Sequence, residues 1–265
     1  MKLGFLGYGN MGSAIAKGAI NSSIISKSDI YIYDLDKDKI KDLKNDDYNA
    51  TDDLNYIIDK ADYIILAVKP NVLDNLLSRI KESCNFENKV FISIAAGYEI
   101  KKIEANLTSS AKIIRIMPNT PALVLQAMSA LSYNKNVSAD EIKYVLDIFN
   151  SFGKCEVVDE KLMDAVTAVS GSSPAYVFMM IEAMADAAVS QGMPRDKAYV
   201  FAAQAIKGSA QMVLETKEHP AKLKDNVCSP GGTTIEAVRV LEEKGFRSAL
   251  VDAMNACYEK SKSMK

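Results

Sequence analysis

The 265-residue chain lacks tryptophan altogether and contains a single histidine, His219. Its four cysteines, Cys84, Cys155, Cys228 and Cys257, lie far apart and form no C-x-x-C pair. This spacing argues against a zinc knuckle or a disulfide framework and is typical of a protein in a reducing compartment. We therefore expect no metal site and a cytoplasmic location.

Long runs of one residue class are missing as well. The formal net charge is −2, and acids and bases are mixed along the chain, so no basic block offers a footprint for nucleic-acid phosphates. The longest apolar stretches, such as residues 63–68, are far shorter than the roughly 20 residues that a helix needs to span a bilayer. The first residues do not resemble a signal peptide. The sequence predicts a soluble protein whose partner is neither nucleic acid nor membrane.

Short β-rich segments alternate with helical patterns over about the first 160 residues. The early β-rich segments are rich in Ile and Val without polar alternation, which is typical of parallel strands covered on both faces. The alternation predicts a doubly wound α/β sheet domain over residues 1–160. The predicted strands are Lys2–Gly7, Ile30–Asp34, Tyr63–Val68, Val90–Ile94, Lys112–Met117, Ala127–Tyr133 and Cys155–Val158.

Residues 161–265 show helical patterns and no strand. A Ser-Pro pair at residue 173 begins a long helical run that Gly192 ends. Glu182 and Asp186 are the charged residues of this run, so most of its surface is apolar. A segment of about a hundred residues forms too few layers of structure to bury such apolar helices by itself. We predict an all-helical substrate-binding and dimerisation domain that forms an obligate homodimer, open to assembly into a larger homo-oligomer.

A glycine loop, Gly7-Tyr8-Gly9-Asn10-Met11-Gly12, follows the first predicted strand and begins a predicted helix. In a dinucleotide site the glycines allow a tight turn, close approach of the pyrophosphate and close packing of helix on strand, while the helix N-terminus faces the phosphates. Glycines that serve only a tight turn are the alternative. The register of strand, helix and second strand favours a Rossmann-like domain that binds a nicotinamide dinucleotide through Gly7, Gly9, Asn10, Met11 and Gly12.

Asp34 lies roughly twenty residues after this loop, where an acid binds the ribose hydroxyls of the cofactor. An acid there favours NADH and repels the 2′-phosphate of NADPH, although Lys37 or Lys39 is close enough in sequence to meet such a phosphate. A surface acid that merely ends a strand is the alternative, since Asp36 and Asp38 are nearby. The choice between NADPH and NADH stays open.

Histidine, the commonest general base, is almost absent. Oxidation of an alcohol usually needs such a base, and His219, followed by Pro220 at a predicted helix start, is better interpreted as a capping or packing residue. A catalytic lysine remains an alternative. A protonated imine fits the composition better, because it is already an electrophile and needs mainly hydride placement and modest hydrogen bonding.

A candidate substrate loop, Ser229-Pro230-Gly231-Gly232-Thr233-Thr234, precedes a helical run in the second half. Its glycines and threonines place backbone N–H groups and hydroxyls at a helix start, which is an arrangement that binds carboxylates. A capped turn without any ligand is the alternative, and composition does not separate the two.

Distinctive motifs occur along essentially the whole chain, in the segments 67–70 (AVKP), 95–97 (AAG), 117–121 (MPNTP), 170–178 (SGSSPAYVF), 192–195 (GMPR), 219–220 (HP), 223–225 (LKD) and 229–234 (SPGGTT). Together these motifs closely resemble those of the pyrroline-5-carboxylate reductase family. The family reduces L-1-pyrroline-5-carboxylate, a cyclic imine carboxylate, to L-proline with NADPH or NADH, the last step of proline biosynthesis. Its helical half interlocks with a partner subunit to form the active site.

The resemblance implies roles for individual residues. Thr234 would be the catalytic residue that hydrogen-bonds the ring nitrogen. The residues implied at the substrate are Glu160, Ser229, Gly231, Gly232 and Thr233. The further residues implied at the cofactor are Ala67, Val68, Lys69, Pro70, Ala95, Ala96, Gly97, Asn119, Asp225 and Asn226.

One position departs from the family. Small or basic residues often follow the second strand there, matching a preference for NADPH, whereas Asp34 stands first here. Two rivals also remain: a β-hydroxyacid dehydrogenase, which would need a lysine-centred catalytic helix, and a redox-sensing dinucleotide-binding module, which would need no substrate loop.

Overall fold

The computed structural model describes residues 1–83 and 86–264, so Cys84 lies outside the described residues. The chain forms two compact units, Met1–Ser172 together with Cys257–Lys265, and Ser173–Ala256. The division into units falls after Ser172, and the last residues of the chain belong to the first unit. The domain boundary at residue 160 remains a prediction.

In the described residues of the first unit, eight strands form one sheet in the order β3-β2-β1-β4-β5-β6-β7-β8. Neighbouring strands pair in parallel except β6 and β7, which are antiparallel. The strand order reverses beside β1, at the point where doubly wound sheets bind ligands. The strands are β1 (Leu3–Leu6), β2 (Ile30–Tyr33), β3 (Asn49–Thr51), β4 (Tyr63–Leu66), β5 (Val90–Ser93), β6 (Lys112–Met117), β7 (Ala127–Tyr133) and β8 (Gly153–Val157).

Helices cover both faces of this sheet, and local sequence explains where several begin. The side chain of Asp36 accepts hydrogen bonds from the first turn of α2, and Asp53 does the same for α3. Ser138 and Glu141 form a capping box at α6. The helices are α1 (Asn10–Asn21), α2 (Lys37–Asn45), α3 (Leu54–Lys60), α4 (Pro70–Lys81), α5 (Ile100–Asn106), α6 (Ala139–Asn150) and α7 (Met163–Val166).

Two apolar layers bury the sheet. Phe5 and Ile65 belong to the layer on one face, and Leu6 and Ile64 belong to the layer on the other. Successive side chains of a strand point to opposite faces, so a strand buried on both faces is mostly apolar along its whole length. All four residues of β1, β2, β4 and β5 are buried, which confirms the doubly wound sheet predicted from the unbroken apolar runs.

The second unit is helical throughout. Small buried residues, Ala185 on α8 with Ala198 and Ala202 on α9, accompany the packing of these two helices. His219 caps α10, where its Nδ1 accepts a hydrogen bond from the Ala221 N–H at 3.2 Å, so the capping interpretation is confirmed. The helices are α8 (Ser173–Ser190), α9 (Arg195–Thr216), α10 (Pro220–Val227), α11 (Thr233–Glu243) and α12 (Phe246–Lys262), whose residues from Cys257 onward belong to the first unit. Among the helices described, none has the length and apolarity that crossing a bilayer requires.

Two strands differ from the sequence-based prediction. β3, at one edge of the sheet, was not predicted, because it has three residues and two of them are polar. β8 begins at Gly153, two residues earlier than predicted. A Cβ at Gly153 would lie 2.1 Å from the carbonyl oxygen of Ala127, so the neighbouring strand approaches too closely for any side chain.

Candidate active site

The glycine loop connects β1 to α1 with the geometry that its sequence predicts. Gly7 has φ +90°, and a Cβ there would lie 2.9 Å from the carbonyl oxygen of Ala67. A Cβ at Gly12 would lie 3.1 Å from the Gly7 carbonyl oxygen, in keeping with close packing of helix on strand. A Cβ at Gly9 would meet no atom within 4 Å among the described residues, so the loop is open at this residue.

The start of α1 can bind an anion. Gly9 is the N-cap and provides no side-chain cap, and the first turn contains no acidic residue. The first N–H groups of a helix have no partner within the helix and carry its positive dipole end. Asn10, Met11 and Gly12 therefore present backbone donors beside the open Gly9, an arrangement that fits the pyrophosphate of a dinucleotide.

A cleft of about 200 Å³ adjoins the glycine loop at the ends of β2 and β4. Most of its accessible surface is apolar, while a carboxylate and a guanidinium supply charge. An apolar cleft with few polar groups suits the adenosine end of a dinucleotide. Its lining residues are Gly7, Tyr33, Asp34, Leu35, Val68, Val72, Asn75, Leu76 and Arg79.

Asp34 follows β2, and its carboxylate is held from three sides. Oδ2 accepts hydrogen bonds from the Tyr8 N–H at 3.1 Å and from Lys39 Nζ at 2.9 Å, and Oδ1 accepts one from the Asp36 N–H at 3.1 Å. Burial acts to raise the pKa of Asp34, but these hydrogen bonds and the charge of Lys39 outweigh it and hold the pKa below its usual value. Asp34 is therefore ionised at neutral pH, and its contact with a ribose stays a prediction.

Two further loops lie at the same edge of the sheet. Ala67 to Pro70 follow β4, and the Ala67 N–H donates to the Leu6 carbonyl oxygen at 2.9 Å beside the glycine loop. Ala95 to Gly97 form a turn after β5, with φ +70° at Gly97. Because β1, β4 and β5 are parallel neighbours, their carboxyl-end loops adjoin one another, as the predicted cofactor site requires.

Glu160 lies in the first unit and joins two elements. Its Oε1 accepts hydrogen bonds from the Ile100 N–H at the start of α5, at 2.8 Å, and from Nη1 of the buried Arg115 on β6, at 3.0 Å. The sequence offered no signal for these partners, which lie 60 and 45 residues away along the chain. A role for Glu160 at the substrate remains a prediction beside this structural one.

Asn119 is buried, and its amide bridges two segments of the first unit. Nδ2 donates to the Ser170 carbonyl oxygen at 3.0 Å, and Oδ1 accepts from the Met128 N–H at 2.9 Å. Ser170 belongs to a π-helical turn, Thr167–Gly171, a form often found near functional sites. The predicted cofactor contact of Asn119 is untested.

The candidate substrate loop lies in the second unit and leads into α11. Gly231 has φ +67°, and the Gly232 N–H donates to the Ser229 carbonyl oxygen at 3.0 Å to close the turn. Gly232 is the N-cap of α11 and offers no side chain to the first-turn N–H groups of Thr233 and Thr234. Since the turn itself uses the Gly232 donor, the remaining donors for a carboxylate are those of Gly231, Thr233 and Thr234.

Asp225 and Asn226 are exposed on α10, in the second unit, and Asp225 pairs with Lys224 at 2.8 Å. The structure thus brings the predicted glycine loop, Asp34 and the loops after β4 and β5 together in the first unit. The predicted substrate loop belongs to the second unit. Over residues 1–83 and 86–264, no three His, Cys, Asp or Glu side chains group as metal ligands.

Two cations accompany Asp34. Lys39, on the first turn of α2, pairs with Asp34, and the sequence alone did not predict this pairing. Arg79, on the last turn of α4, lines the cleft and donates from Nη1 to the Tyr33 hydroxyl at 2.9 Å. The sequence gives no signal for Arg79 at this cleft, because no local spacing links it to Tyr33, which lies 46 positions away.

Comparisons with known proteins agree with this arrangement. Residues 160–264 match the family model described as pyrroline-5-carboxylate reductase dimerisation, and residues 2–97 match the model described as NADP oxidoreductase coenzyme F420-dependent. The chain is 52% identical to a pyrroline-5-carboxylate reductase of Escherichia coli, over 99% of this chain and 98% of the relative. A Plasmodium falciparum pyrroline carboxylate reductase crystallised with NADP bound superposes with a TM-score of 0.90 at 40% identity, over 100% of this chain and 98% of that one. The chain belongs to the pyrroline-5-carboxylate reductase family.

Proposed function

We propose that this chain reduces L-1-pyrroline-5-carboxylate to L-proline with NADPH or NADH, the last step of proline biosynthesis. The observation that carries the proposal is the 52% identity to a pyrroline-5-carboxylate reductase over nearly the full length of both chains. The glycine loop and the Ser229–Thr234 turn supply the two kinds of site that the reaction needs, one for a dinucleotide and one for a carboxylate.

The first unit binds the cofactor, which when bound supplies a hydride. The backbone donors of Asn10, Met11 and Gly12 hold the pyrophosphate at the start of α1. The cleft beside Asp34 holds the adenosine end. Ala67 to Pro70 and Ala95 to Gly97 line the nicotinamide end, where they shape the site and exclude water.

The second unit binds the imine. Backbone N–H groups of Gly231, Thr233 and Thr234 hold the substrate carboxylate without adding a positive side chain. The Thr234 hydroxyl oxygen accepts a hydrogen bond from the protonated ring nitrogen and so orients the C=N bond. The imine carbon gains the hydride while the protonated nitrogen keeps its proton and becomes a secondary amine. No strong general base is required, which is consistent with a single histidine that caps a helix.

The protein forms a homodimer in the cytoplasm. The dimerisation family model covers residues 160–264 and supports a homo-oligomer. Several large apolar side chains of the second unit are exposed in the isolated chain, among them Phe178 and Phe201, and a second copy would cover them.

One assay tests the activity. Purified protein is supplied with pyrroline-5-carboxylate and either NADH or NADPH, and the absorbance of the reduced nicotinamide is followed. A panel of 3-oxo acids replaces the imine in parallel. We expect oxidation of cofactor with the imine alone. Turnover of a 3-oxo acid but not of the imine would instead identify a β-hydroxyacid dehydrogenase, and no turnover of any substrate would favour a dinucleotide sensor.

A further inference from the structure

The carboxylate of Asp34 is not a free acid at the ribose position. Its side chain is 13% exposed, and Lys39 Nζ lies 2.9 Å from Oδ2. The Tyr8 N–H, within the glycine loop, donates to the same oxygen at 3.1 Å. The acid that would repel a 2′-phosphate is therefore neutralised by a lysine of the next helix and is tied to the loop that binds the pyrophosphate.

At the start of α2, Lys39 is the cation that contacts Asp34. Asp36 Oδ1 accepts hydrogen bonds from the N–H groups of Asp38 and Lys39, both at 3.1 Å, so these backbone donors are already used. The Lys39 side chain is 37% exposed. An ammonium carries three donors, so Lys39 can bind Asp34 and a phosphate oxygen together.

A second cation, Arg79, lines the cleft itself. Arg79 lies over the Tyr33 ring, 5.7 Å from its centroid, and donates to the Tyr33 hydroxyl. A guanidinium has five N–H donors, so others remain available. Asp34 and Arg79, which line the adenosine cleft, and Lys39, which pairs with Asp34, together carry one net positive charge, which favours an anionic group there.

We propose that Lys39 is the specificity-determining residue that lets this chain accept a 2′-phosphorylated dinucleotide although an acid follows β2. Lys39 cancels the charge of Asp34, and its exposed face donates to the 2′-phosphate. Without Lys39, Asp34 repels the phosphate and remains able to accept hydrogen bonds from the free hydroxyls of NADH. The proposal rests on the proposed use of NAD(P)H and names the residue that sets its choice of cofactor.

Binding of two nucleotide fragments tests this without any catalysis. The affinities of the full chain for adenosine 2′,5′-bisphosphate and for adenosine 5′-monophosphate are measured by calorimetry. In Lys39→Met we expect the affinity for the bisphosphate to fall about tenfold or more, as loss of a charge contact a few ångströms away implies, while the monophosphate affinity changes less than about twofold. Added salt screens the charge contact, so it should reduce the difference in bisphosphate affinity between the wild type and Lys39→Met.

Two more variants control the comparison. Lys41→Met removes the same charge from an exposed position two residues along α2, on a different helix face, and should leave both affinities within about twofold of the wild type. Asp34→Asn/Lys39→Met removes both charges and should recover part of the lost bisphosphate affinity, because the repulsion is also gone. This double variant keeps the test decisive if Lys39→Met alone folds poorly.

An equal loss of both affinities in Lys39→Met, or an unchanged bisphosphate affinity, would overturn the proposal. A double variant no better than Lys39→Met would also overturn it, because repulsion by Asp34 would then have no part. Since neither probe contains a nicotinamide or the imine, absence of imine reduction would refute the proposed function without altering these binding results.

Discussion

Glu160 and Arg115 form an ion pair that anchors the start of α5 to the sheet. The Arg115 side chain is 5% exposed and that of Glu160 is 29% exposed, so the pair is only partly screened by water. The same carboxylate oxygen also accepts the Ile100 N–H. Removing the carboxylate leaves two donors without their partner, one of them on a buried guanidinium, which is more damaging than losing a surface pair.

We expect Glu160→Ala to lower the free energy of unfolding by about 1–3 kcal/mol, the usual range for stranding a buried donor. Urea denaturation measures it. Lys161→Ala is the control, because the Lys161–Asp159 pair is exposed and should change stability by less than about 0.5 kcal/mol. An unchanged stability in Glu160→Ala together with a raised KM for the imine would instead support the substrate role predicted from the sequence.

Thr234 is the second residue of α11, where its hydroxyl accompanies the free N–H groups of the first turn. We expect Thr234→Ala to lower kcat for the imine about ten- to a hundredfold, as loss of one positioned hydrogen-bond partner would, while the Kd for the reduced cofactor stays nearly unchanged. Thr234→Ser keeps the hydroxyl and should retain most of kcat. Similar losses of turnover and cofactor affinity in Thr234→Ala would show that the residue is structural.

At the scale of an element, the glycine loop contains one glycine that the packing requires and one that leaves space for the cofactor. A Cβ at Gly7 would meet the Ala67 carbonyl oxygen at 2.9 Å and would require φ +90°, whereas a Cβ at Gly9 would meet no described atom within 4 Å. The Gly9 backbone, with φ −86°, is also one that alanine adopts readily. The two positions therefore form a matched pair, in which only the first affects packing.

We expect Gly7→Ala to lower both the free energy of unfolding, by about 1–2 kcal/mol, and the cofactor affinity. Gly9→Ala should leave stability within about 0.5 kcal/mol of the wild type but weaken NADPH and NADH binding about tenfold or more, since its methyl group occupies the approach of the pyrophosphate. Chemical denaturation and fluorescence of the reduced nicotinamide measure the two quantities. An unchanged cofactor affinity in Gly9→Ala would show that the pyrophosphate does not bind at this loop.

The elements that the sequence predicted well are those with a strong local pattern. Runs such as Tyr63–Leu66 are apolar throughout because both faces are covered, and the Ser-Pro pair at residue 173 correctly predicted the start of α8. Asn49–Thr51 escaped prediction, because its place in the sheet depends on backbone pairing with β2 at the sheet edge.

The site residues divide in the same way. Gly7, Gly9 and Gly12 could be predicted because their spacing itself builds the loop. The partners of Glu160 and the contact of Arg79 with Tyr33 could not be predicted. In each case the two residues lie 45 to 60 positions apart in the chain, and only the tertiary fold brings them close. The position of Asp34 after β2 could be predicted from the sequence. Its pairing with Lys39 could not, because it depends on where α2 begins, and this pairing neutralises the carboxylate that would otherwise repel a 2′-phosphate.

At the scale of the whole molecule, the second unit has too little protein around its apolar helices. Phe178 and Met179 on α8 are 63% and 68% exposed, and Val200 and Phe201 on α9 are 67% and 65% exposed. Burying a side chain of this size stabilises by about 1.5–3 kcal/mol, and monomeric proteins rarely leave many such groups in water. These four residues form what we call the α8–α9 apolar surface, and a second copy of the chain is the partner that the dimerisation family model indicates.

We expect the wild-type chain to sediment as a dimer or a larger homo-oligomer at low micromolar concentration, and Phe178→Glu/Phe201→Glu to sediment as a monomer or to need far higher concentration to associate. Two buried carboxylates would be desolvated without partners at such an interface. Lys41→Glu, an exposed change on α2, is the control and should keep the wild-type mass.

The paired variant should also lose imine turnover, because the family resemblance implies an active site completed by the partner. It should keep its affinity for the adenosine fragments, because the adenosine cleft lies within the first unit. A wild-type monomer at this concentration, or an undiminished dimer in the paired variant, would show that the α8–α9 apolar surface does not join the subunits.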